Sequence, residues 1–174
     1  SPVLDDRDVI LFPEKIGGKF AMMHRPKQFV GEHYGVKYPS IWLKFSDDLL
    51  AWEDKPSHLL IAGREGTWEE KIGGSTPPIL TEAGWLTLYH GVADGGTAEY
   101  RVGALLLDRE NPLRVLARTP EPILEPEFFY ETEGFYSHCV FPTGNVVVDG
   151  VLYVYYGGAD KYVGVATCRL EELL

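Results

Sequence analysis

A chain of 174 residues with 45% apolar side chains is long enough for one domain with an ordinary core, and none of its apolar runs approaches the length of a membrane span. Its net charge of −10 argues against a nucleic-acid backbone or an anionic membrane as the main partner, while leaving room for a local basic pocket. Cys139 and Cys168 are too few for a disulfide framework, so a reducing, cytoplasmic setting is expected.

Ten Tyr, eight Phe and four Trp beside 19 Gly and 12 Pro favour short strands and turns. A helix is expected only as a final turn near Leu170 to Leu174. The first unit, 8–61, opens with Phe12-Pro13, the turn Gly17-Gly18 and the strand Phe20-Ala-Met-Met-His-Arg25. A third strand, Ser40-Ile-Trp-Leu-Lys-Phe-Ser46, leads through a turn into a fourth. The loop between strands two and three, 26–39, carries Lys27, His33, Tyr34 and Tyr38 and is long enough to be a site loop.

The second unit, 68–124, repeats the plan with Pro77-Pro78, Ala83-Gly84 and the strand from Trp85 to Gly91. Its later strands are expected at Tyr100–Asp108 and Val115–Arg118, followed by a proline-rich connector that can be neither helix nor central strand. The third unit, 130–174, has the strongest hairpin signal, Asp149-Gly150 between two apolar runs. Leu152, Val154 and Tyr156 alternate with Val151, Tyr153 and Tyr155 without a polar face, so both sides of this strand are expected to be covered. Its third strand is read at Val163–Cys168, and a fourth is missing. Gly157-Gly158-Ala159 then lets a ligand approach bare backbone beside the acid Asp160.

Gly18, Gly84 and Gly150 are spaced by 66 residues, and Pro13, Pro78 and Pro142 by 65 and 64, which argues for a structural repeat. About four strands in roughly 60 residues is the signature of a propeller blade. Three blades cannot close a ring, so 1–174 is read as a single all-β, partial β-propeller domain. It either belongs to a larger propeller or covers its open edges as a homo-oligomer.

Several segments together resemble a known family: Arg7-Asp-Val-Ile-Leu-Phe-Pro-Glu-Lys-Ile16, His24-Arg25-Pro26, Ser46-Asp-Asp-Leu49, Trp68-Glu-Glu-Lys-Ile-Gly73, Gly84-Trp-Leu86, Tyr89-His-Gly91, Leu106-Leu-Asp108, Tyr130-Glu131 and Tyr155-Tyr-Gly-Gly-Ala-Asp160. In order and spacing they are similar to the C-terminal part of glycoside hydrolase family 130, the β-mannoside phosphorylases and related mannosidases. The resemblance implies a five-bladed β-propeller, of which this chain is about three blades. It also implies transfer of a mannosyl group from a β-1,4-mannosyl oligosaccharide to inorganic phosphate, with inversion, giving α-mannose 1-phosphate. No cofactor is expected beyond phosphate as co-substrate.

By the same resemblance Arg7 and Arg25 hold phosphate, Lys71 and His90 are the remaining cationic phosphate contacts, and Asp160 binds sugar hydroxyls. Guanidinium forks suit a phosphate dianion bidentately. The family's general acid is an aspartate upstream of the position matching Arg7, and Asp5 and Asp6 lie too close to Arg7 to take that role, so no catalytic residue is expected in this chain. Taken singly, Arg7 and Lys71 read as solvated charges, His90 as a structural histidine, and Asp160 as a turn cap. Tyr130-Glu131 reads as structural, and His138 and Cys139 as core, since no spacing gives metal ligation. The alternatives are a non-catalytic sugar- or phosphosugar-binding partial propeller and a hydrolytic β-mannosidase relative.

Overall fold

The computed structural model of the protein describes residues 5–93 and 98–174. The first sheet takes β1 (Asp6–Leu11), β2 (Phe20–Pro26), β3 (Ile41–Ser46) and β4 (His58–Ile61) in chain order. The second runs β5 (Lys71–Gly74), β7 (Trp85–Val92), β8 (Tyr100–Leu107) and β9 (Val115–Arg118). A two-residue β6 (Ile79–Leu80) pairs with the first part of β7, the edge between β5 and β6 being broken at Pro77 and Pro78, which lack the donors a ladder needs. The third sheet is β10 (Val140–Val148), β11 (Val151–Gly158) and β12 (Tyr162–Arg169). All pairings within the sheets are antiparallel.

Gly18, Gly84 and Gly150 all take positive φ, at 82°, 138° and 76°, just before β2, β7 and β11. Asp149 joins Gly150 at φ 49°, and Val148 pairs with Val151, the two-residue hairpin that the Asp-Gly pair favours. Among the described residues, three short helical elements accompany the strands: a 3-10 turn at Glu32–Tyr34 and a single turn α1 (Phe129–Thr132), both absent from the sequence expectation, and a 3-10 turn at Leu170–Leu173.

The second sheet is the centre of the packing, and β7 is buried along its whole length. Trp85 and Tyr89 face the first sheet, packing with Ala21, Met23, Ile41 and Leu43. Leu86 and Leu88 face the third, packing with Val140, Leu152, Val154 and Tyr156. A strand with a core on each side has no place for a polar face, which is why its sequence shows none. The third sheet corrects one expectation. Leu152, Val154 and Tyr156 are buried, but the opposite face carries Tyr155 and Val165 at 45% and 53% exposure, so β11 is covered on one side in this chain. His138 is also not core: it is half-buried, at φ 57°.

Two buried glutamates tie the strands together. Glu69, fully buried, accepts from the Tyr89 hydroxyl and from Arg118 Nη2 at 2.7 Å, while Arg64 Nη1 lies 3.1 Å from its other oxygen. Glu131 repeats the device in the third sheet, accepting from the Tyr156 hydroxyl and from the Glu127 and Phe128 amides at 2.8 and 3.0 Å. In both sheets a glycine on the next strand, Gly103 or Gly164, makes room for the tyrosine ring. Glu69→Ala leaves Arg118 without its carboxylate and is expected to cost about 3–5 kcal/mol of stability. Urea titration at unchanged m-value reads the loss; a cost below about 1 kcal/mol would show that this network does not hold the sheet.

Candidate functional site

The site begins with an irregularity in β1. Arg7 pairs with Arg25 and Ile10 with Met23, so two residues, Asp8 and Val9, bulge against one, His24. Asp8 takes the left-handed conformation, φ 52°, which a short polar side chain tolerates better than most. The bulge re-aims its carboxylate across the seam to the second sheet, over Gly73 of β5. A Cβ at Gly73 would collide with Asp8 Oδ2 and fall 2.7 Å from His90 Nε2. Glycine at 73 is what allows the two sheets to bring these groups together.

Arg25 and Asp8 form the heart of the cluster, Nε to Oδ2 at 2.7 Å, with side chains only 15% and 12% exposed. His90 Nε2 lies 3.6 Å from the same carboxylate oxygen, and His90 Nδ1 is 3.2 Å from Ser75 Oγ. Burial, reinforced by the charge of Arg25, pushes the His90 pKa down to about 3, so the ring is neutral at physiological pH. This corrects the expectation of a cationic contact: His90 can offer a hydrogen bond but no charge. Burial raises the Asp8 pKa, opposed by the positive charges of Arg25 and Arg7. Phe141 packs 4.6 Å from the His90 ring and Tyr100 5.7 Å from it, and Tyr100 in turn meets Tyr136 at 5.2 Å.

Arg7 stands at the rim, 52% exposed, with its Nε 2.9 Å from Asp5 Oδ1. Lys71 begins β5 two residues before Gly73 and so shares the strand face that meets Asp8. His24, beside Arg25 in sequence, points to the other face, where its Nδ1 is 2.8 Å from Asp6 Oδ2. The loop 26–39 packs Phe29 and Tyr34 against Trp42 on that side, while its Lys27 Nζ lies 3.3 Å from Asp5 Oδ2 at the rim.

Asp160 is exposed, in the turn from β11 to β12. Ala159 and Asp160 both take positive φ, 47° and 52°, and the Lys161 amide bonds the Gly158 carbonyl at 3.0 Å. Such strain persists where packing over-determines it: Ala159 is fully buried, and its amide donates to the Cys139 carbonyl at 2.9 Å. Cys139 bridges to Tyr100, which connects the turn to the aromatic wall beside His90. Among the described residues no group of three His, Cys, Asp or Glu is gathered as a metal site requires.

The sequence reading missed Asp8, Ser75, Tyr100 and Phe141. Asp8 had one available signal: two arginines directly opposite on paired strands call for a nearby counter-charge.

The protein is thus an all-β scaffold that gathers arginines of the first sheet, a neutral histidine of the second and aromatic rings of the second and third. The family model described as beta-1,4-mannooligosaccharide phosphorylase matches residues 4–174, and the chain belongs to this family, glycoside hydrolase family 130. It is 46% identical over 175 residues to a 1,2-beta-oligomannan phosphorylase of Thermoanaerobacter, covering 98% of this chain and 54% of that protein. It is 32% identical over 173 residues to a beta-1,4-mannooligosaccharide phosphorylase of Ruminococcus albus, covering 97% and 50%. It superposes on the beta-1,2-mannobiose phosphorylase of Listeria innocua, solved in complex with beta-1,2-mannobiose, with TM-score 0.86 and 38% identity over 99% of this chain and 46% of that one. The chain spans about half the length of these relatives.

His90 gives the fold a defined acid sensitivity. Unfolded, its imidazole binds a proton near pH 6.5; folded, only near 3. Between those values the unfolded state holds more protons, so stability contributed by the neutral ring is complete above about pH 6.5 and declines as pH falls toward 3. Urea midpoints of the parent are expected to drop from pH 7 to pH 5 by more than those of His90→Gln. Equal drops would show that His90 takes up a proton in the folded protein.

Proposed function

We propose that this chain supplies the phosphate site and part of the mannosyl site of a β-mannoside phosphorylase. An oxygen of inorganic phosphate attacks the anomeric carbon, the glycosidic C–O bond breaks, and the leaving oxygen takes up a proton. The products are α-mannose 1-phosphate and a shortened acceptor. The reading is carried by Arg7 and Arg25, paired opposite each other at a seam that also holds buried His90. Hydrolysis needs no such gathering of cations, because water carries no charge to neutralise.

In this reading Arg25 and Arg7 bind phosphate oxygens and Lys71 adds a third positive charge from β5. His90 contributes a hydrogen bond from Nε2, with Ser75 on its other nitrogen. Asp160 takes sugar hydroxyls from the turn between β11 and β12. The general acid must stand across the scissile bond from the phosphate. Asp8 is excluded from that role because it lies among the phosphate-binding cations. The proton donor is therefore assigned to a part of the enzyme outside this chain.

For the linkage, the sequence expectation of β-1,4 competes with β-1,2. Relatives named for β-1,2 substrates are 46% and 41% identical, and the one named for β-1,4 is 32% identical. We assign β-1,2-linked mannosides on that ground.

The protein carrying this chain is expected to form mannose 1-phosphate from β-1,2-mannobiose only when phosphate is present, and more slowly from β-1,4-mannobiose. Arg25→Ala removes charged hydrogen bonds and is expected to raise the phosphate KM about 10- to 100-fold. Mannose release independent of phosphate would overturn the phosphorylase assignment. Saturable sugar binding without turnover would favour a non-catalytic module, and faster use of the β-1,4 disaccharide would reverse the linkage.

A further inference from the structure

We propose that Asp8 positions Arg25 for the anion: it holds the Nε edge of the guanidinium so that the Nη1–Nη2 edge is left for two phosphate oxygens. The inference rests on the phosphate reading above and assigns the arrangement behind it. A guanidinium has two forked edges, and only one is needed for bidentate contact with phosphate. Asp8 Oδ2 stands 2.7 Å from Nε, as an ion pair at the stem side of the guanidinium rather than as an aligned hydrogen bond. An acid standing in the anion's own place would be expected on the outer, Nη1–Nη2 edge.

Three features show that Asp8 is built into this place. It sits on a bulge at φ 52°, a conformation that costs stability unless its surroundings require it. Its carboxylate is pressed over Gly73, where no side chain could be accommodated without moving it. Asp8 Oδ2, Arg25 Nε and His90 Nε2 are all buried, yet none makes a well-aligned hydrogen bond despite their closeness. Buried polar atoms left in this way call for an explanation, and a small rotation of the guanidinium onto a bound anion would align them. Catalytic hydrogen bonds are commonly poorly aligned before the ligand arrives.

The test compares Asp8→Gly and Asp8→Asn with the parent in the protein carrying this chain, reading the KM for phosphate and for β-1,2-mannobiose separately, with melting temperature alongside. Glycine suits a φ of 52° while deleting the carboxylate, so a fall in melting temperature reports the lost pairing with Arg25 rather than backbone strain. Asp8→Gly is expected to raise the phosphate KM about 10-fold and to leave the mannobiose KM within about 2-fold. Asp8→Asn keeps an oxygen of the same reach and is expected to stay within about 3-fold of the parent for phosphate. A lower phosphate KM in Asp8→Gly would make Asp8 a competing anion and overturn the proposal. So would equal rises in both KM values with a matching fall in melting temperature, the mark of a merely structural role. Arg25→Ala with unchanged phosphate dependence would instead sink the phosphate reading on which the proposal stands, an outcome distinguishable from failure of the Asp8 variants alone.

Discussion

The contact between the Arg25 guanidinium and the Asp8 carboxylate, 2.7 Å apart and largely removed from water, is the interaction on which the seam between the first two sheets depends. Arg25 lies opposite Arg7 on the paired strand, an arrangement that repels when unbalanced. A buried charge is costly unless paired, and the chain supplies the counter-charge locally, through one extra residue in β1. The same contact shapes His90. With burial and the positive charge of Arg25 both opposing protonation, the imidazole stays neutral. The seam therefore presents charge through Arg7 at its rim and Arg25 within it, beside a buried, uncharged hydrogen-bonding group.

Rigidity behind the seam comes from the buried glutamates. Glu69 lies two residues before Lys71, so the network of Tyr89, Arg118 and Arg64 that holds Glu69 also fixes the start of β5 and the face bearing Lys71 and Gly73. In the third sheet the backbone of Glu131 accepts from the Cys139 amide, and the Cys139 carbonyl accepts from Ala159, next to Asp160. A buried glutamate thus stands behind the strand that carries Lys71 and behind the turn that carries Asp160. Deleting one such partner leaves an uncompensated polar group inside the protein, which is more costly than losing an exposed ion pair.

Much of this was legible in the sequence because it depends on local chemistry. The turn at Asp149-Gly150 and the end of the third sheet at β12 follow from φ preferences and side-chain period. The family resemblance directed attention to Arg7, Arg25, Lys71 and His90, and the structure places Arg25 and His90 about one carboxylate. What escaped was non-local. Whether Tyr155 is covered depends on what lies against the third sheet, which alternation along β11 cannot report. The charge state of His90 depends on burial between sheets that are distant in sequence. Asp8 was hidden because a bulge reverses the direction that simple alternation assigns to its side chain.

The most direct test is a crystal structure of the protein carrying this chain, grown with inorganic phosphate. The account predicts phosphate oxygens at about 2.7–2.9 Å from both outer nitrogens of Arg25, as for other charge-assisted pairs, with Arg7 and Lys71 turned inward and Asp8 still on Nε. A phosphate bound elsewhere, or Asp8 rotated onto the outer edge of the guanidinium with the seam closed to phosphate, would contradict it.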